Sequence, residues 1–217
     1  MDFLDKVYRS AIASMIRAFL AIQISEPLRT ALAAVQSELK RRISQDLPCE
    51  ASLTWVRPTS MHLTVKFLGD LDEGLVTPLR DAMAETLSHH RAIEIPLDRL
   101  GGFPRLQQPR VVWIGPSQPW EQSDDAARLA AVHQAIEGCC VAMNLAPDTR
   151  PLSAHLTLAR IKAGHRAVGQ ALARSGAMDR PLAVHSLAVD VIAFMRSELK
   201  PTGSVYTPLW QSRLKAA

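Results

Sequence analysis

Three cysteines in 217 residues, Cys49, Cys139 and Cys140, are too few for a disulfide framework. Adjacent Cys139 and Cys140 fall in the helical pattern "AVHQAIEGCCVAMNL", where they read as small buried hydrophobes. No Cys/His grouping has zinc-site spacing, so no metal site is expected. A reduced, cytoplasmic setting fits this cysteine usage. There is no uncharged apolar run of about 18 residues, which excludes a helical membrane span. The apolar stretch 11–24, "AIASMIRAFLAIQI", is broken by Arg17 and has no convincing cleavage site, so a secretory signal is not expected. A Gly-rich phosphate loop, a GxSxG elbow and an HExxH helix are all missing.

The chain is ordinary in hydrophobic content, 47%, and mildly basic, with a formal net charge of +4. That charge favours a polyanionic partner but does not identify one. "KRR" at 40–42 reads as a solvated helix end that adds diffuse attraction to such a polyanion.

Hydrophobic periodicity alternates between strand and helix signals. Strands are expected at 16–24, 52–56, 61–68, 92–100, 110–115, 153–161, 181–195 (one strand or two) and 204–211. Helices are expected at 26–43, 73–88, 125–144 and 166–175. Glu26 and Pro27 mark the start of the first helix, and Pro78 is awkward in the second. "GPSQPWEQSDD" at 115–125 reads as a polar loop. There are too few helices for an alternating parallel barrel. The fold class is therefore α+β, with helices packed on antiparallel or mixed sheets. Residues 1–14 have no place in this scheme and are set aside as an N-terminal extension ahead of a domain at 15–217.

One pattern is written twice. "HLTVKFLG" starts at His62 and "HLTLARIK" at His155. On a strand, His62, Thr64 and Lys66 share one face, while Leu63, Val65 and Phe67 take the other and can enter a core. In the second copy, His155 and Thr157 share a face opposite Leu156 and Leu158. Each motif thus presents an imidazole and a hydroxyl about 7 Å apart along the strand. If two related halves each donate one motif strand, the pairs face each other across a cleft. One imidazole can then take a proton from water while the other gives one to a departing oxygen. The threonine hydroxyls can bond the non-bridging phosphate oxygens as charge builds.

Lys66 adds positive potential on the catalytic face. Arg160 can reach a phosphate only if a strand bend brings it round, since strict alternation places it opposite His155. Phe19 and Tyr206 can stack a base, although core packing accounts for each more simply. Trp55 and Trp113 read as core or groove-wall residues. His89, His90, His133, His165 and His185 show no comparable repeat and read as surface or helix-packing residues.

At these motifs the chain resembles the 2H phosphoesterase superfamily, and within it the RNA 2′,3′-cyclic phosphodiesterases once called 2′-5′ RNA ligases. The segments "IRAFLAIQISEPLRTAL", "WVRPTSMHLTVKFLGD", "GGFPRLQQPRVVWIG", "RPLSAHLTLARI" and "MRSELKPTGSVYTPL" follow in the family's order, from about Met15 to Leu214. The resemblance implies a bilobal fold with antiparallel sheets around a central groove. It implies opening of a terminal 2′,3′-cyclic phosphate to a 2′-phosphomonoester, without a metal or other cofactor. It assigns His62 as proton donor to the leaving oxygen, His155 as base for water, and Thr64 and Thr157 as phosphate ligands. The implied partners are RNA 3′ ends or small nucleotides carrying a 2′,3′-cyclic phosphate, with no membrane, and a monomer is expected. Ala154 and Leu152 depart from the proline and aromatic usual before the second histidine, and the 116–126 loop is longer than typical. Two alternatives stand beside hydrolysis: 2′-5′ ligation by reversal of the same chemistry, and a non-catalytic module that binds nucleotides or RNA ends.

Overall fold

The computed structural model describes residues 14–178, 182, 184, 186–201 and 203–216. The N-terminal extension up to residue 13, part of the expected 181–195 strand and His185 lie outside them.

Two four-stranded antiparallel sheets and a two-stranded ribbon make up the β structure of the described residues. Strands β1 (Met15–Gln23), β3 (His62–Asp72), β9 (Val191–Lys200) and β10 (Gly203–Arg213) form the first sheet, in the order β10-β9-β1-β3. Strands β2 (Ser52–Trp55), β5 (Arg99–Phe103), β6 (Val111–Gly115) and β7 (Leu156–Ala163) form the second, in the order β2-β7-β6-β5. Strands β4 (Ile93–Ile95) and β8 (Leu187–Val189) pair as the ribbon. The helices are α1 (Glu26–Ile43), α2 (Val76–Leu87), α3 (Gln118–Glu121), α4 (Asp124–Ala142) and α5 (His165–Arg174). This is the expected α+β class. The two motifs do lie on different sheets, β3 at the edge of one and β7 inside the other.

The sheets are not the N- and C-terminal halves of the chain. β2 comes from the first quarter yet pairs with β7, while β9 and β10 return from the C-terminus to join β1. The expected strand 92–100 is two strands in different sheets, divided near Pro96, which has no N–H to give a ladder. The 181–195 segment likewise holds β8 and the start of β9, which runs on to Lys200. The expected loop 115–125 contains the single turn α3.

Local chemistry explains the helix boundaries. The Ser25 side chain accepts from Leu28 N–H at the start of α1, Glu26 sits in its first turn, and Lys40, Arg41 and Arg42 occupy its last. Pro78 is accommodated because α2 begins only at Val76, after a 3₁₀ turn at 73–75. It therefore lies in the first turn, where backbone N–H groups have no helical partner. Ser123 caps α4 through Ala126 N–H, with Asp124 and Asp125 following.

Leu20, Ile22, Leu63 and Val65 from the first sheet and Leu156, Leu158 and Ile161 from the second share one apolar core with the inner faces of α1, α2, α4 and α5. Buried Gln36 of α1 reaches into it and donates to Val56 O at 2.7 Å and Leu158 O at 2.8 Å. Leu158 O also accepts from Val56 N–H at 2.9 Å. One side chain thus ties α1 to both the exit of β2 and the middle of β7.

Candidate active site

Backbone bulges decide which side chains reach the space between the sheets. In the β1–β3 ladder, Ala21 opposes Thr64 and Leu20 opposes Lys66, so Val65 is an extra residue. In the β6–β7 ladder, Trp113 opposes Thr157 and Val112 opposes Ala159, so Leu158 is extra. The insertion falls at the same place in both motifs, one residue after the threonine. It reverses the alternation for the residues that follow, until on β3 a second bulge at Leu68, between Phe67 opposite Phe19 and Gly69 opposite Ala18, reverses it again.

The reversal corrects two expectations. Lys66 does not share the catalytic face. It is 2% exposed and donates to Glu137 Oε1 at 2.7 Å, Glu137 Oε2 at 2.8 Å and Ala146 O at 3.0 Å. Phe67, expected in the core, is 67% exposed and lines the groove. On β7 the same shift supplies the bend that Arg160 required, and Arg160 lines the groove with His155 and Thr157. Phe67 and Arg160 are therefore equivalent positions, each five residues after its histidine.

His62, Thr64, His155 and Thr157 line a single cavity of about 470 Å³ between the sheets. Each histidine is held alike. His62 Nδ1 lies 2.9 Å from Ser60 O, and His155 Nδ1 lies 2.9 Å from Ser153 O. A carbonyl can only accept, so Nδ1 carries the proton in the neutral ring and Nε2 keeps its lone pair. The repeat thus extends two residues upstream, as Ser-x-His-Leu-Thr at 60–64 and 153–157. The serine contributes through its backbone, so its side chain gives no functional signal in the sequence.

Burial pushes both imidazoles below the ordinary value of 6.5. The Nδ1 bonds oppose that shift, and the Arg160 charge adds to it at both rings. Arg160 is thus electrostatically common to the two motifs.

Aromatic rings fix the histidines from the side. Phe19 stacks on His62 with centroids 4.8 Å apart, and Tyr206 stands edge-on to His62 at 5.1 Å. Phe19, Ala21, Ala193, Met195 and Tyr206 form a small apolar cluster of their own on this side of the sheet. Phe19 and Tyr206 line the cavity, and buried Phe19 already spends a face on His62. On the other side, Phe103 meets His155 edge-on at 4.9 Å and Trp113 lies 6.4 Å from it. Trp113 crosses β5 so closely that a Cβ at Gly101 would fall 2.2 Å from its ring, which explains glycine there. Phe67, Phe103 and Arg17 were not expected at the site. The first two depend on a bulge and on strand pairing, and Arg17 shows only as an interruption of an apolar run.

Of the remaining histidines, His133 is buried, with Nε2 3.6 Å from Glu137 Oε1, and His165 Nδ1 lies 3.1 Å from Pro109 O. His89 and His90 sit at the end of α2, away from the groove. Trp55 lies under Lys40, 5.1 Å from Nζ to the ring centre. Among the described residues, no three His, Cys, Asp or Glu side chains are grouped to hold a metal ion. No helix among them is long and apolar enough to cross a membrane.

Comparison with known proteins bears on the family and the fold. The family model "LigT like Phosphoesterase" matches residues 22–113. An RNA 2′,3′-cyclic phosphodiesterase of Methanothermobacter thermautotrophicus is 31% identical over 92% of this chain and 99% of its own length. A Thermus thermophilus structure is 25% identical, with a TM-score of 0.67 over 93% of this chain and 99% of that one. Escherichia coli LigT complexed with 3′-AMP, at 21% identity, shares the fold with a TM-score of 0.63 over the same shares. With two bulged motif strands meeting at one groove and a relative matched from end to end, the chain belongs to the LigT-like phosphoesterases of the 2H superfamily.

Proposed function

We propose that this phosphoesterase opens the 2′,3′-cyclic phosphate at the 3′ end of RNA, leaving a 2′-phosphate, without a metal ion. The observation that carries the reading is the paired arrangement of His62 and His155, each with Nδ1 on a backbone carbonyl, beside two threonines in one cavity. The curated relatives named RNA 2′,3′-cyclic phosphodiesterase support the substrate class. His155 takes a proton from water as its oxygen attacks phosphorus. The P–O3′ bond breaks, and His62, protonated at Nε2, delivers a proton to O3′. Thr64, Thr157 and Arg160 meet the charge on the non-bridging oxygens.

Adenosine 2′,3′-cyclic phosphate, incubated with the protein in excess chelator, should give adenosine 2′-phosphate. Activity that vanished in chelator and returned on adding a divalent ion would overturn the metal-free reading. Product carrying a 3′-phosphate would overturn the leaving-group assignment.

The pH dependence follows from the site's electrostatics. Turnover needs one neutral and one protonated imidazole, so kcat/KM should be bell-shaped. Both rings lie below 6.5, which places the maximum on the acid side of that value. Arg160→Gln removes a positive charge that disfavours both imidazolium forms. Both pKa values then rise, and the maximum should move to higher pH while kcat/KM falls. A pH-rate profile of the two proteins checks this, and an unmoved maximum would remove Arg160 from the titration.

A further inference from the structure

The first sheet's side of the groove carries a positive charge that the cyclic-phosphate chemistry does not use. Arg17 is exposed, on the same face of β1 as Phe19 and Ala21, and lines the cavity with Gly69, Ser197 and Phe67. Among the described residues it makes no ion pair. On the neighbouring strand β9, the register that pairs Ala18 with Arg196 turns Ser197 and Leu199 to the groove beside Arg17 and Glu198 to the other face. Asp70, the cross-strand partner of Arg17, is exposed and makes no bond to it.

The ladder gives the spacing. Ala21 is level with Thr64, Phe19 with Phe67, and Arg17 with Asp70. Four residues of β1 separate the level of the phosphate-binding threonine from Arg17, about 13 Å at strand rise. Between them stands Phe67, 67% exposed, with Leu199, 87% exposed, also on the groove. Along the sheet the order is hydroxyl and imidazole, exposed aromatic, guanidinium. A nucleotide has the same order: reacting phosphate, nucleoside, next phosphate.

We infer that Arg17, with the Ser197 hydroxyl beside it, forms a subsite for the phosphate one nucleoside upstream of the reacting cyclic phosphate. The inference rests on the proposed phosphodiesterase reading and sharpens its substrate class. The preferred substrate carries a second phosphate on its 5′ side, so an RNA end is favoured over a nucleoside 2′,3′-cyclic phosphate. A guanidinium suits this role because it offers several donors in a fixed fork to phosphate oxygens. Asp70, level with Arg17 on the next strand, sets a negative charge beside the subsite that disfavours a phosphate there.

The test compares three substrates on each protein: adenosine 2′,3′-cyclic phosphate, its 5′-phosphorylated form, and the dinucleotide ApA ending in a 2′,3′-cyclic phosphate. The wild type should favour both phosphate-bearing substrates in kcat/KM by roughly tenfold or more, mainly through KM, as expected for one charge-assisted contact. Arg17→Gln should bring both ratios close to one, Arg17→Lys should keep part of them, and Asp70→Asn should raise them. A preference for the 5′-monoester alone identifies a free nucleotide rather than an RNA chain as the ligand and overturns the RNA-end assignment. Ratios near one in the wild type, or unchanged in Arg17→Gln, overturn the subsite. If the wild type turned over none of the three, the phosphodiesterase reading would fail. The subsite would then be judged by Kd values for adenosine 2′-phosphate with and without a 5′-phosphate, and a difference independent of Arg17 would overturn it.

Discussion

Replacing His155 by Ala should lower kcat about 10²–10⁴-fold, and replacing His62 by Ala should cost a comparable factor. Each substitution removes one proton-transfer partner. Thr64→Ala and Thr157→Ala should cost less, because the other threonine and Arg160 remain in the same cavity. The two histidines are separated by their response to the leaving group. A nucleotide p-nitrophenyl phosphodiester has a leaving group that departs without protonation. It should partly rescue His62→Ala, the proposed acid, and should not rescue His155→Ala, the proposed base. Rescue of His155→Ala alone would exchange the two roles. Equal insensitivity of both variants would mean that the imidazoles act by charge and not by proton transfer. The matched Nδ1 bonds give no preference for either assignment, since each ring is anchored to a carbonyl at 2.9 Å.

The duplicated motif was readable because apolar residues of each strand frame the polar ones. Leu63 and Val65, like Leu156 and Leu158, belong in the core and force His62, Thr64, His155 and Thr157 to the other face. Alternation failed one residue later, where Val65 and Leu158 are extra in their ladders. A bulge is set by pairing with the neighbouring strand, and a single strand's pattern does not contain the partner. In the second motif a trace of it exists, since Leu158 and Ala159 are consecutive apolar residues before Arg160. In the first motif the trace is hidden, because the residue that turns inward is Lys66.

The exchange of strands between sheets was illegible for a related reason. The pairing of β2 with β7 joins residues more than a hundred positions apart, and no local signal specifies which neighbour a short strand will take. The helices were easier. Their caps and apolar stripes are local, so α1 and α4 lie within a few residues of expectation. Gln36 shows the limit of that reading. Its place on the buried stripe of α1 is periodic, but its two carbonyl acceptors come from β7 and from the residue after β2.

Lys66→Met should destabilise the protein more than any groove substitution. The ammonium is almost wholly enclosed, its side chain 1% exposed against 14% for Glu137, and both carboxylate oxygens accept from it. Glu137 also accepts from Asp148 N–H at 3.1 Å, and Lys66 donates to Ala146 O at 3.0 Å. The pair therefore pins β3, which carries His62, to α4 and to the segment that leads into His155. Removing the lysine leaves a nearly buried carboxylate without its counter-ion, a loss of about 3–5 kcal/mol. For a chain of this length that corresponds to a fall in Tm of roughly 10 °C. The double substitution Lys66→Met with Glu137→Leu removes both charges together and should recover much of the loss, because the ion pair repays little beyond its own desolvation. Thermal unfolding of the two single variants and the double variant completes the cycle. A Tm within about 2 °C of wild type for Lys66→Met would mean that Glu137 finds water or another partner once the lysine is gone. A double variant less stable than either single one would mean that Asp148 N–H and Ala146 O, left without partners, dominate the cost.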